Sequence, residues 1–141
     1  MLVPTRDEKK LYVANIASGS VTVIDRAAST VKSIPTGAGA EGIDASPDGR
    51  EIWVSNRGAN TLSVIDAATD AIVASFASGG VMPIRVKFTP DGRFVGVVYL
   101  LSNTGELDAR LQRYLLDHLR RALHVLVRGV VHEVLGPGEN S

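Results

Sequence analysis

The chain has 141 residues, 45% of them hydrophobic and 21% charged, and its fifteen basic side chains balance fifteen acidic ones. That composition suits one globular domain large enough to bury a core, and a neutral chain without a basic block gives no electrostatic reason to expect nucleic acid or an anionic membrane surface. With no cysteine, disulfides, thiolate nucleophiles and cysteine metal sites are excluded, and the compartment stays open.

Met1 to Lys10 places no apolar stretch behind a charged head, so it is not read as a signal peptide. No window approaches ~18 uninterrupted apolar residues, so no membrane-spanning helix is expected. Short β-forming runs follow, bounded by turn residues. Leu11-Tyr12-Val13-Ala14-Asn15 returns 41 residues later as Ile52-Trp53-Val54-Ser55-Asn56. Val21-Thr22-Val23-Ile24-Asp25 returns at the same offset as Leu62-Ser63-Val64-Ile65-Asp66. Thr30–Ile34 and Ala71–Phe76 come next, then glycine-rich connectors, then Gly42–Ala45 and Ile84–Phe88.

Each of these last two runs leads into a turn. Ser46-Pro47-Asp48-Gly49-Arg50 returns as Thr89-Pro90-Asp91-Gly92-Arg93, where proline pre-sets φ and glycine supplies the positive φ of a tight hairpin. Asp7 lies 41 residues before Asp48, so residues 4–10 read as an eroded copy of that turn. A period near 40 residues, built of four short strands, is the length of one propeller blade.

Beyond about residue 100 the character changes. Ten leucines and all three histidines fall in residues 98–141, against three leucines and no histidine before them. Leu107, Leu111, Leu115, Leu119, Leu126 and Val130 recur at helical spacing, and Asn103 with Glu106 resembles a capping box. The pattern predicts a helix from about 105 to 124, continuing to about 135. The β-branched stretch Val125–Val134 also suits a short hairpin.

The runs Leu-Tyr-Val-Ala-Asn, Val-Thr-Val-Ile-Asp and Ser-Pro-Asp-Gly-Arg, in that order and spacing, resemble the YVTN family of β-propeller repeats over roughly residues 4–97. The resemblance implies a closed propeller of about seven blades. It also implies a binding and scaffolding platform, often exported, found in surface-layer proteins and alongside redox enzymes. It carries no catalytic residue. The expected fold is all-β: a partial propeller of about two and a half four-stranded blades over residues 1–99 (about 1–40, 41–82 and an incomplete 83–99). A Leu-rich helical tail is expected over 100–141.

So few blades leave apolar sheet faces in water. If each face leaves roughly 400–600 Å² wet, burying it is worth about 10–15 kcal/mol, comparable to a domain's whole stability. Self-association, a protein partner or the tail folded back as a cap would cover such faces. Alternatively, the chain is a truncated or frameshifted remnant with no function of its own.

The chemistry-bearing motifs are weighed against architecture. Gly37-Ala38-Gly39-Ala40-Glu41-Gly42 fits a dinucleotide fingerprint in letters, but a strand follows it where a helix is required, so no nucleotide cofactor is expected. Asp25, Asp66, Asn15 and Asn56 recur at strand ends, as turn-capping residues do, and Asp48 and Asp91 read the same way. Trp53, at the place of Tyr12, reads as packing between blades. His118, His124 and His132, at spacings of six and eight, do not make a metal site.

The strand before Pro-Asp-Gly is the innermost of a blade, lining the central channel where propeller ligands sit. Counting back from the two turns sets Asp44 opposite Lys87 and Gly42 opposite Arg85. Arg85 and Lys87 share one strand face and, with Glu41 and Asp44, form the candidate ligand site, which suits an anion. An inter-blade ion pair is the architectural alternative. The function expected is a non-enzymatic binding or scaffold module, homo-oligomeric or bound to a protein partner. The rival is a piece of a larger redox-associated or lactonase-like propeller with its ligand in the channel.

Overall fold

A computed structural model describes residues 1–101, 123–127 and 130–134. Alternating apolar and polar residues build three four-stranded sheets in succession. In the first, β1 (Leu2–Pro4), β2 (Lys10–Asn15), β3 (Ser20–Asp25) and β4 (Thr30–Pro35) lie in chain order, each antiparallel to the next. In the second, β5 (Ala40–Ala45), β6 (Glu51–Asn56), β7 (Thr61–Asp66) and β8 (Ala71–Ala77) repeat that plan. The third contains β9 (Val81–Phe88), β10 (Val95–Leu101), β11 (Leu123–Val127) and β12 (Val130–Val134). These are three blades of a β-propeller. Strands β1, β5 and β9 neighbour one another across the blades and form the inner edge.

The same device closes the first hairpin of every blade. The hydroxyls of Thr5, Ser46 and Thr89 donate to Asp7, Asp48 and Asp91 at 2.7, 2.6 and 2.6 Å. They accept from the amides of Lys10, Glu51 and Phe94 at 3.0, 2.9 and 3.1 Å. The residue after each aspartate turns left-handed, with φ of 76° at Gly49, 66° at Gly92 and 56° at Glu8. The eroded turn at Asp7 therefore keeps the geometry of the intact copies, with glutamate standing where they have glycine.

The blades pack face to face through two apolar clusters. Tyr12, Val21 and Val23 of blade 1 meet Ile52, Val54 and Ile65 of blade 2. Trp53, Leu62 and Phe76 of blade 2 meet Val86, Phe88 and Val97 of blade 3. Trp53 is fully buried, edge-on to Phe88 at 5.8 Å between ring centroids and tilted to Phe76 at 5.9 Å. It is the inter-blade packing residue that its repeat position implies.

Blade 3 departs from the repeat after β10. Strand β11 pairs parallel to β10, with Val97 beside Val125, and β12 returns antiparallel. Over 123–134 the structure has the hairpin rather than the continued helix, because β-branched residues favour extended backbone. The helix expected over 105–122 lies outside the described residues. Among the described residues no helix is long and apolar enough to cross a membrane.

Candidate functional site

The inner edge brings β5 against β9, and the contact is unusually close at Gly42. A Cβ there would stand 2.8 Å from the Arg85 Cα and 2.9 Å from the Ile84 carbonyl, so only glycine lets the two strands approach. Two residues along, Asp44 is buried, its side chain 10% exposed. Its Oδ2 accepts the Phe88 amide at 2.8 Å, and its Oδ1 accepts Lys87 Nζ at 3.0 Å. The sequence pairing of Asp44 with Lys87 is thus realised in space, as a link between blades 2 and 3. Most of its strength lies with the buried amide, because the Lys87 side chain is 78% exposed and water screens its charge.

The other two candidates are not brought to this pair. Glu41 sits at a bulge in β5 and faces Arg57, with Oε2 at 3.4 Å from Nη1. That separation is within ion-pair range but off hydrogen-bond geometry, and Oε2 is buried without a hydrogen bond. Arg85 is exposed, directed toward the Met1 sulfur, and forms no ion pair with a carboxylate among the described residues.

The recurrent Asx residues finish turns and strand ends. Asp25 accepts the Ala28 amide at 2.8 Å, and Asp66 accepts the amides of Ala68 and Thr69 at 2.9 and 2.8 Å. Asn15 donates to Thr22, and Asn56 to Thr61 and Ser63. The Thr5 hydroxyl, then the Lys9 amide, hold the Asp7 carboxyl below its ordinary range. Burial raises Asp48, but the Ser46 hydroxyl and the Arg50 amide together outweigh it, leaving that carboxyl lowered too. Asp91 is lowered first by the Thr89 hydroxyl and then by the Arg93 amide.

One cluster escaped sequence reasoning. Asp70, left-handed at φ 56° in the β7–β8 turn, accepts the Tyr12 hydroxyl at 2.5 Å and Lys10 Nζ at 2.9 Å, both from blade 1. Burial, then the hydrogen bond to Asp70 and its negative charge, push the Tyr12 phenol above its ordinary range. The available signal was comparative: blade 1 has Ser29 at the place of Asp70, and blade 2 has Glu51 and Trp53 at the places of Lys10 and Tyr12. In blade 2 that pair closes on itself, Trp53 Nε1 donating to Glu51 at 2.8 Å.

With blades, turns and inner edge in place, the relatives can be compared. The pattern of YNCE-like β-propellers matches residues 1–103. The chain belongs to that family. It is 31% identical over 109 residues to Antigen Lp49 of Leptospira interrogans, a match covering 67% of this chain and 24% of that protein. Among solved structures it resembles Kuenenia stuttgartiensis hydrazine synthase, with TM-score 0.60 and 35% identity over 64% of this chain and 26% of the other. It also resembles a candidate 6-phosphogluconolactonase from Bacteroides fragilis, with TM-score 0.58 and 25% identity over 70% of this chain and 31% of the other. The chain therefore spans about a quarter to a third of these relatives.

Proposed function

We propose that the chain is a non-catalytic binding and scaffold module that works by presenting an open blade face to a protein. One observation carries this reading. Strand register sets Leu2, Leu11, Val13, Ile24 and Val31 on the face of blade 1 turned away from blade 2. Leu2 is 61% exposed and Val31 72%. In blade 2 the repeat equivalents of Leu11, Val13 and Ile24 are Ile52, Val54 and Ile65, which are no more than 1% exposed. Leu11, Val13 and Ile24 are half-buried, and an apolar face of this kind supports the reading of an interaction site.

The test is light scattering with a hydrophobic dye, on the chain and on Ile24→Glu, using Trp53 fluorescence to confirm the fold. An assembly, or dye binding, that Ile24→Glu abolishes supports the reading. A dye-silent monomer unchanged by the substitution would overturn it.

A second reading keeps the chain as part of a larger lactonase-like or redox-associated propeller with its ligand at the inner edge. Arg85 favours it, as an exposed cation on β9 next to β5 with no carboxylate partner among the described residues. Its readout is chemical-shift change at Arg85 and Lys87 on adding a phosphorylated sugar acid.

A further inference from the structure

We infer that Asp48 and Asp91 are modification sites at which the chain converts to isoaspartate, and that the hydroxyls of Ser46 and Thr89 set the rate. The inference goes beyond the binding reading above and does not depend on it.

The chemistry begins in the sequence. Asp48-Gly49 and Asp91-Gly92 are the only Asp-Gly pairs in the chain, and it has no Asn-Gly. In such a pair the glycine nitrogen attacks the side-chain carboxyl carbon of the aspartate, because glycine has no side chain to crowd the approach. A carbon–nitrogen bond closes a succinimide ring, and the carboxyl hydroxyl leaves with the amide proton as water. A second water then opens the ring at the backbone carbonyl. The main chain now runs through the aspartate Cβ, and the former backbone carbonyl carbon becomes a free carboxylate.

That attack needs a protonated carboxyl and a free amide, and the folded turn withholds both. Asp48 Oδ1 accepts the Ser46 hydroxyl at 2.6 Å and the Arg50 amide at 3.0 Å, which favours the ionised carboxylate. The Gly49 amide is already donated to the Ser46 carbonyl at 2.8 Å. Asp91 is held alike, by the Thr89 hydroxyl at 2.6 Å and the Arg93 amide at 2.9 Å, while the Gly92 amide donates to the Thr89 carbonyl at 2.9 Å. The two aspartate side chains are 60% and 53% exposed, so water meets the ring as soon as it forms. Conversion therefore waits on opening of the turn.

Blade 1 supplies the control. The Thr5 hydroxyl holds Asp7 at 2.7 Å and the Glu8 amide donates to the Thr5 carbonyl at 2.9 Å, but here the attacking nitrogen carries a glutamate side chain. The same latch with a hindered nucleophile makes Asp7 a silent site. Isoaspartate would thus lengthen the β5–β6 and β9–β10 hairpins and spare that of blade 1.

The test incubates the full chain in mildly acidic buffer, folded and in urea, and locates isoaspartate by peptide mapping with methyltransferase labelling. Trp53 fluorescence confirms the fold of each variant. Ser46→Ala should speed conversion at Asp48 about tenfold, the factor that one charge-assisted hydrogen bond implies, and leave Asp91 at its parent rate. Thr89→Val should do the reverse. Glu8→Gly should add Asp7 as a third site at the rate of the other two. Unfolding in urea should bring Asp48 and Asp91 to one fast rate. Three results overturn the inference. The folded parent could convert as fast as the unfolded chain, or Asp48 could keep its parent rate in Ser46→Ala. Asp48 and Asp91 could also accelerate together in that variant, because general opening rather than the hydroxyl then sets the rate.

Discussion

Replacing Asp44 decides whether the inner-edge aspartate serves architecture or a ligand. Its carboxylate is buried and divides its two oxygens between the Phe88 amide at 2.8 Å and Lys87 Nζ at 3.0 Å. Asp44→Ala strands the buried amide and removes a charge-assisted bond, a loss of about 2–3 kcal/mol. Asp44→Asn keeps an oxygen for the amide and forfeits only the charge, about 1 kcal/mol. Lys87→Met removes a partner whose side chain is 78% exposed, so screening holds its cost under about 1 kcal/mol. The order Ala, then Asn, then Lys87→Met follows from the burial of the amide against the exposure of the ammonium. Urea unfolding followed by fluorescence of Trp53, which pairs with Asp44 across β5 and β6, reads all three. If Asp44→Ala lies within about 0.5 kcal/mol of the parent, or Lys87→Met costs as much as it, the inter-blade account is wrong.

Tyr12→Phe should cost about 1–2 kcal/mol and Asp70→Ala, which also strands Lys10, about 2–3 kcal/mol, and the double variant should fall short of their sum, because both break the 2.5 Å bond; urea midpoints of the four proteins measure the coupling. Gly49→Ala should lose about 1–2 kcal/mol from its φ of 76° alone, the nearest atom to the new Cβ being Arg6 Cβ at 3.7 Å, whereas Glu8→Gly should be nearly neutral; thermal melts compare them. The lowered Asp7, Asp48 and Asp91 carboxyls contribute stability that is present above the ordinary value of 3.8 and lost as pH falls through their folded values, so acid unfolding should shift upward in pH when Thr5, Ser46 and Thr89 become Ala or Val. Burial raises Tyr99 to about 12 from 10.0, and Tyr12 is raised too, so stability should decline above about pH 10 as the unfolded phenols ionise, less so in Tyr12→Phe.

The strands and turns were legible because each carries its reason in neighbouring residues: alternation sets the faces, and Pro-Asp-Gly sets the hairpin. Counting back from two such turns also found Asp44 and Lys87. What counting could not find is the Phe88 amide that takes half of Asp44, because a backbone donor leaves no mark on residue identity. Asp70 was hidden for a related reason. A lone aspartate after Ala-Ala-Thr looks like any turn residue, and only Lys10 and Tyr12, some 58–60 positions away, give it a purpose. Over Val125–Val134 two local signals competed, leucine spacing and β-branching, and pairing with β10 decided for the strands.

The acidic groups also bear on where the proposed binding would reside. Asp7, Asp48 and Asp91 close the first hairpins, Asp25 and Asp66 cap turns, and Asp44 and Asp70 tie one blade to the next. A carboxylate committed to its own turn or to a neighbouring blade must break that bond before it can meet a ligand, at a cost of about 1.5–3 kcal/mol for each charge-assisted bond. The apolar face of blade 1, with Leu2 and Val31 exposed and Leu11, Val13 and Ile24 half-buried, has no such bond to break when it is covered. On the reading proposed above, binding through that face would draw on the same apolar burial that holds blades 1 and 2 together.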